Sequence, residues 1–109
     1  VADPVFIIFS DDPDWAEANI VTNRPRVVMK PLPTDLPSTS VADLKLMMSC
    51  GHFIIANSTF SWWGAYAGSH NRASQVIAPE IWSSSPVQEL VDPVPSRWTR
   101  VPDEARRKY

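Results

Sequence analysis

The stretch from Ala42 to Trp63, ADLKLMMSCGHFIIANSTFSWW, constrains this chain more than any other. Leu44, Met47 and Met48 recur at helical spacing across 41–50, and Gly51 stops that run. His52 to Ala56 is a short apolar block of strand length, and it leads directly into Asn57-Ser58-Thr59. A helix, a buried strand and then three small polar residues opening another helix is the order found at the ligand edge of a parallel α/β sheet.

The first N–H groups of a helix have no partner within it, and its aligned peptide dipoles leave that end partly positive. An anion is stabilised there. Asn57, Ser58 and Thr59 are short enough to cap those groups and to offer side-chain donors to phosphate oxygens. The same residues also make an ordinary helix cap, and the local pattern alone leaves both roles open.

Strand and helix signals alternate along the rest of the chain, which predicts an α/β fold with a mainly parallel sheet of about four strands. Val5 to Phe9 is a continuous apolar run, as in a strand buried on both faces. Asp12 or Pro13 starts a short helix through Asn19, with Trp15 expected to pack inward. Arg26 to Lys30 reads as a second strand, and residues 31–40, with three prolines, as a loop in which Ser40 caps the next helix. His52 to Ala56 is expected to be the central strand, Ser58 to about Gly68 the helix after it, and Gln75 to Ala78 a further strand. Residues 83–109 read as an irregular, proline-rich tail with at most a turn of helix at Val87 to Leu90, the whole chain making one domain.

Composition narrows the function classes. The formal net charge is −2, so no basic excess exists to displace counterions from a nucleic acid, and Arg106 to Lys108 reads as a short solvated run. The single cysteine cannot form an internal disulfide, and Cys50 in its apolar setting reads as a structural thiol. No apolar run approaches the ~20 residues of a membrane span, and no spacing of His, Cys, Asp and Glu suits a metal, although Asp11, Asp12 and Asp14 cluster. Phe60 and Trp63 share one stripe of the helix after Asn57, while Trp62 and Tyr66 share its neighbour. Core packing is the default for such rings and is expected for Trp15, Trp63, Trp82 and Trp98; His52 reads as a strand-start residue.

Several segments taken in order carry a family resemblance. HFIIANSTFSWWGAY resembles the third motif of glycosyltransferase family 11, the alpha-1,2-fucosyltransferases. DLKLMMSC is similar to the acidic helix before that motif, and VIAPEIW to the strand and Pro-x-x-Trp segment after it. VFIIFSDDPDWAEANI resembles the family's Phe-Ser-Asp-Asp-x-x-Trp segment, with Ala16 where many members carry cysteine. The family's His-x-Arg-x-Gly-Asp motif, whose arginine is expected to grip the donor phosphates, is absent: His52 is followed by Phe53 and Ile54, and His70 by Asn71 and Arg72. The resemblance therefore implies the carboxyl-terminal, donor-nucleotide-binding part of a GT-B-like enzyme, with a three-layer Rossmann-like fold, no catalytic residue of its own and no activity alone.

For the intact enzyme the resemblance implies transfer of L-fucose from GDP-fucose to the 2-hydroxyl of a galactose-terminated acceptor, with inversion. It implies that Asp43, on the polar side of its helix, accepts hydrogen bonds from the guanine edge or ribose, a pairing a carboxylate suits; a first-turn Asp favoured by the helix dipole is the alternative. Asn57, Ser58 and Thr59 become diphosphate contacts, and Phe60 borders the nucleotide. No metal or other cofactor is expected, the Asp11–Asp14 run then serving as turn and cap, with Arg24 or Lys30 as possible helpers at the phosphates. Expected partners are the amino-terminal half of the enzyme and, through apolar surface left bare, a second copy. The motif spelling leans towards bacterial members, which work in the cytoplasm or at its membrane; animal members are Golgi proteins. A noncatalytic nucleotide- or protein-binding module is the alternative reading.

Overall fold

The computed structural model describes residues 2–30, 39–70, 73–82 and 92–102. The chain divides into two compact units, Val1–Asp43 and Leu44–Tyr109. The class is α/β and Rossmann-like; among the described residues every strand pair is parallel, and in place of a single sheet of about four strands there are two smaller ones of two and three strands.

In the first unit, β1 (Phe6–Ile8) pairs with β2 (Arg26–Val28) around α1 (Pro13–Asn19). Asp12 starts α1 as expected: its carboxylate accepts the Trp15 N–H at 3.1 Å, and Pro13, which has no N–H to leave unpaired, takes the first helical position. Ala16 turns inward against β2 and is fully buried. Trp15 does not pack inward; it is 57% exposed, because one turn of so short a helix can face the sheet with either residue but not both. Ile7 and its register partner Val27 are also exposed, so β1 is not buried on both faces.

The helix α2 (Thr39–Met48) begins earlier than its hydrophobic spacing indicates, which puts Ser40 inside it and not at its cap. Most of the loop expected at 31–40 lies outside the described residues, as do Val87–Leu90 and Arg106–Lys108. Past Met48 the chain closes with Ser49 N–H to the Lys45 carbonyl at 3.2 Å and Cys50 N–H to that of Met47 at 3.0 Å. Burial pushes the half-buried Cys50 thiol above its ordinary pKa, which suits a structural thiol, and its Sγ donates to the Leu46 carbonyl at 3.6 Å.

The second unit holds β3 (Phe53–Ile54), α3 (Thr59–Ser69), β4 (Val76–Pro79) and β5 (Thr99–Val101). Strand order is β3-β4-β5, so β3 is an edge of this sheet and β4 its centre. The ladder continues beyond β3 through Ile55 N–H to the Ile77 carbonyl at 2.9 Å, and His52 Nδ1 accepts the Gln75 N–H at 3.0 Å where the strands enter. One face carries Phe53, Ile55, Val76 and Ala78, all buried; on the other, Ile54 is 69% exposed. The strand β5 arises in a stretch where proline density argues against regular structure.

The helix α3 lies on the buried face through two glycines one turn apart. A Cβ on Gly68 would sit 2.5 Å from Phe53 Cζ and 2.8 Å from the Met48 carbonyl oxygen, and one on Gly64 would sit 2.6 Å from Met47 Sδ. Bare backbone at both positions lets the end of α2 and the ring of Phe53 come this close. Trp62 lies on another side of α3, half-buried, where its Nε1–H donates to the Pro93 carbonyl at 2.9 Å and its ring stacks on Tyr66 at 4.8 Å. Trp98 is buried at 5% exposure and Trp82 is half-buried, as packing residues should be, whereas Trp63 is 53% exposed and not in the core.

Candidate functional site

Because the three strands of the second sheet are parallel, their carboxyl ends open on one edge. Ala56 to Ser58 leave β3 there, and Glu80 to Trp82 leave β4. Ligands of open α/β sheets settle against this edge. Ser58, with φ −125° and ψ 142°, caps α3, and its Oγ accepts the Ser61 N–H at 3.1 Å. Among the described residues no hydrogen bond takes up the N–H groups of Thr59 and Phe60, two donors of the first turn at the positive end of the helix dipole.

The turn is held from two sides. Asn57 Nδ2 donates to the Trp82 carbonyl at 3.2 Å, tying the end of β3 to the segment after β4. Ser61 lies beneath it, with its hydroxyl 2.8 Å from Ser58 Oγ and 3.0 Å from each of the Ala56 and Ser58 carbonyl oxygens. Sequence reading does not single out Ser61, although Ser58-x-x-Ser61 has the spacing of a capping pair, in which a side chain three residues into the helix reaches back to the cap.

Four of the five expected site residues, Asn57, Ser58, Thr59 and Phe60, come together here. Thr59 is exposed, with no hydrogen bond on its hydroxyl among the described residues; Phe60 is 39% exposed beside it. The fifth, Asp43, belongs to the first unit and sits half-buried on α2. Arg24 and Lys30, also in the first unit, each face a carboxylate at 3.4 Å, Asp3 and Asp14 respectively. Among the described residues no group of three His, Cys, Asp or Glu side chains could hold a metal ion, and no helix is long and apolar enough to cross a membrane.

What the turn offers is two backbone N–H groups, one threonine hydroxyl and a helix dipole, all uncommitted, on a frame stiffened by Asn57 and Ser61. That set suits an anion with several oxygens, such as a phosphate ester.

Comparison with known proteins gives the same direction. The sequence model of Glycosyl transferase family 11 matches residues 1–100. An alpha-1,2-colitosyltransferase of Escherichia coli is 35% identical over 99 residues, covering 89% of this chain and 32% of that protein. The O-antigen biosynthesis glycosyltransferase WbnK of Escherichia coli is 40% identical over 78 residues, 72% of this chain and 24% of the relative. The mouse (Mus musculus) galactoside 2-alpha-L-fucosyltransferase Sec1 is 35% identical over 63 residues, 58% of this chain and 17% of the relative. The chain thus spans about a third or less of the length of these relatives. No solved structure matches.

Proposed function

The chain belongs to glycosyl transferase family 11, and on that premise we propose that it supplies the donor-nucleotide side of an inverting alpha-1,2-fucosyltransferase of GT-B-like architecture. GDP-fucose lies with its diphosphate against the Asn57–Thr59 turn; the acceptor is a galactose-terminated glycan. The observation that carries this reading is the pair of unpaired N–H groups, Thr59 and Phe60, opening α3 at the carboxyl edge of a parallel sheet.

In the transfer, the bond from the anomeric carbon of fucose to the β-phosphate oxygen breaks as that carbon joins the galactose 2-hydroxyl oxygen. The hydroxyl proton passes to a base supplied by the rest of the enzyme, and GDP departs with the electrons of the broken bond. Charge grows on the β-phosphate oxygens as the sugar leaves. Donors already aimed at that position need no reorganisation, and each such donor can contribute ~3 kcal/mol to the barrier. Thr59 and the two N–H groups fill this part, without a metal, while the amino-terminal half brings the acceptor and its base. The chain alone is inactive.

The relatives' names diverge at the sugar, colitosyl in one and fucosyl in another; the nucleotide end is what this chain addresses. Calorimetric titration of the chain with GDP, GMP and ADP tests the reading. GDP binds tightest, GMP more weakly for want of the β-phosphate, and ADP weakest for want of the guanine edge. In Thr59→Ala, loss of one donor to a charged group lowers GDP affinity roughly tenfold. Equal response to all three nucleotides, or unchanged GDP affinity in the variant, refutes it. The exposed Ile54 and Trp63 favour a second reading, a noncatalytic module that docks a protein, and that module is indifferent to nucleotide.

A further inference from the structure

The hydrogen bonds around Ser61 exceed what capping α3 requires. We propose that Ser61 is a positioning residue of the diphosphate turn, acting through the Ser58 hydroxyl without touching the ligand. This rests on the donor-binding reading above.

Capping is complete once Ser58 Oγ accepts the Ser61 N–H at 3.1 Å. The Ser61 hydroxyl adds three further approaches: 2.8 Å to Ser58 Oγ, and 3.0 Å to the carbonyl oxygens of both Ala56 and Ser58. It has one proton to give, so two arrangements alternate. In the first, Ser61 donates to a carbonyl and Ser58 donates to Ser61 Oγ. The Ser58 hydroxyl is then spent within the protein and offers nothing outward. In the second, Ser61 donates to Ser58 Oγ, whose own proton swings out to an anion oxygen.

The second arrangement leaves no group unsatisfied. The Ala56 carbonyl keeps the Ser58 N–H at 2.9 Å, and the Ser58 carbonyl keeps the Trp62 N–H at 2.9 Å. Ser58 Oγ accepts two hydrogen bonds, from the N–H and the O–H of Ser61, which matches its two lone pairs. Donation by Ser61 also strengthens the outward donation by Ser58, since hydrogen bonds in a chain polarise one another. An alanine at position 61 keeps the helix and the cap but removes the partner that makes this exchange neutral. Because Asn57 holds the other side of the turn through the Trp82 carbonyl, the loss is confined to the hydroxyl pair.

The test is a titration of the chain and four variants, Ser61→Ala, Ser61→Thr, Ser58→Ala and the Ser58→Ala/Ser61→Ala pair, with GDP and with guanosine. Guanosine reads the base site without the diphosphate. Ser61→Ala weakens GDP about tenfold and leaves guanosine unchanged. Ser61→Thr, which retains the hydroxyl, returns GDP affinity to within about threefold of wild type. In the Ser58→Ala background, removing the Ser61 hydroxyl changes GDP affinity less than about twofold, because Ser61 acts through Ser58. Full GDP affinity in Ser61→Ala, an equal loss for GDP and guanosine, or additive losses in the pair would each overturn the role of Ser61 while leaving the donor-binding reading in place. A wild type that binds GDP no better than guanosine overturns the donor-binding reading, and the role of Ser61 with it.

Discussion

The two strand–helix–strand units, β1–α1–β2 and β3–α3–β4, follow one plan, yet among the described residues the first buries a single apolar side chain, Ala16, and the second buries a core. Both are parallel and both place a helix on the sheet. The difference lies in what each helix presents. The two turns of α1 offer Asp14, Trp15, Glu17 and Asn19 around Ala16, and its tie to β2 is polar: Arg26 Nη2 donates to the Glu17 carbonyl at 2.9 Å. The three turns of α3 offer Gly64, Ala65 and Gly68, a flat strip that Phe53, Met47 and Met48 fill. A parallel pair becomes well buried only when the crossover helix approaches closely, and small residues set how closely. It follows that the Asn57–Thr59 turn, which opens α3, stands on the better-packed of the two units.

Gly68→Ala tests this most severely. The added Cβ meets the Met48 carbonyl oxygen at 2.8 Å and its Cα at 3.0 Å, and backbone cannot rotate away. Overpacking of this kind costs ~1–3 kcal/mol, more than the ~1 kcal/mol that alanine gains over glycine in a helix. Net destabilisation of up to ~2 kcal/mol is expected in urea unfolding, together with lost amide protection in β3 and β4. Gly64→Ala meets only the Met47 thioether, which can turn aside, so the helix-propensity gain nearly balances it. If Gly68→Ala stabilised the protein, close approach would not be what separates the units.

The same strip explains what the sequence disclosed and what it hid. The caps of α1 and α3 were legible, since Asp12-Pro13 and Ser58 act on the next few residues only. The Asn57–Ser58–Thr59 turn was legible for the same reason. Which face of α3 turns inward was not, because FSWWGAYAG is apolar nearly all round and periodicity has no polar side to find. Gly64-x-x-x-Gly68 was the available signal for the face that meets Met47, Met48 and Phe53, and Trp63 lies off that face and exposed. Strand order was hidden as well: β5 joins β4 through the parallel register of Ile77, Ala78 and Pro79 with Thr99, Arg100 and Val101, a pairing distant in sequence and reached through a proline-rich stretch, and its arrival makes β4 the centre.

A pair of tryptophan substitutions sharpens the contrast at intermediate size. Trp62→Phe removes the donor to the Pro93 carbonyl and part of the stack on Tyr66, and costs ~1–2 kcal/mol of unfolding free energy. Trp15→Phe, on a ring that is mostly in water, stays within ~0.5 kcal/mol of wild type. Equal costs for the two would mean that α1 is buried in solution to a degree its exposed ring contradicts.

The smallest effect concerns how β5 is held. Asp92 accepts the Val94 N–H at 3.0 Å and pairs with Arg100 at 2.7 Å, while the same guanidinium donates to the Val94 carbonyl at 2.9 Å. The Val94 N–H, with the hydrogen bond and charge of Arg100, holds the Asp92 carboxyl below its ordinary value of 3.8 against a smaller opposing effect of burial. The unfolded chain therefore binds this proton more readily than the native one, and stability falls as pH falls. The contribution is complete above the ordinary carboxylate value and disappears as pH drops through the lower native one. Both side chains are about a third exposed, at 38% and 33%, so solvent screening limits the contribution to ~0.5–1 kcal/mol. Asp92→Asn should lower the urea midpoint at pH 7, and the gap from wild type should close as both are taken to about pH 2. The amide still accepts from Val94 but carries no charge, so a gap that persisted in acid would assign the stabilisation to side-chain shape and leave the ion pair no part in securing β5.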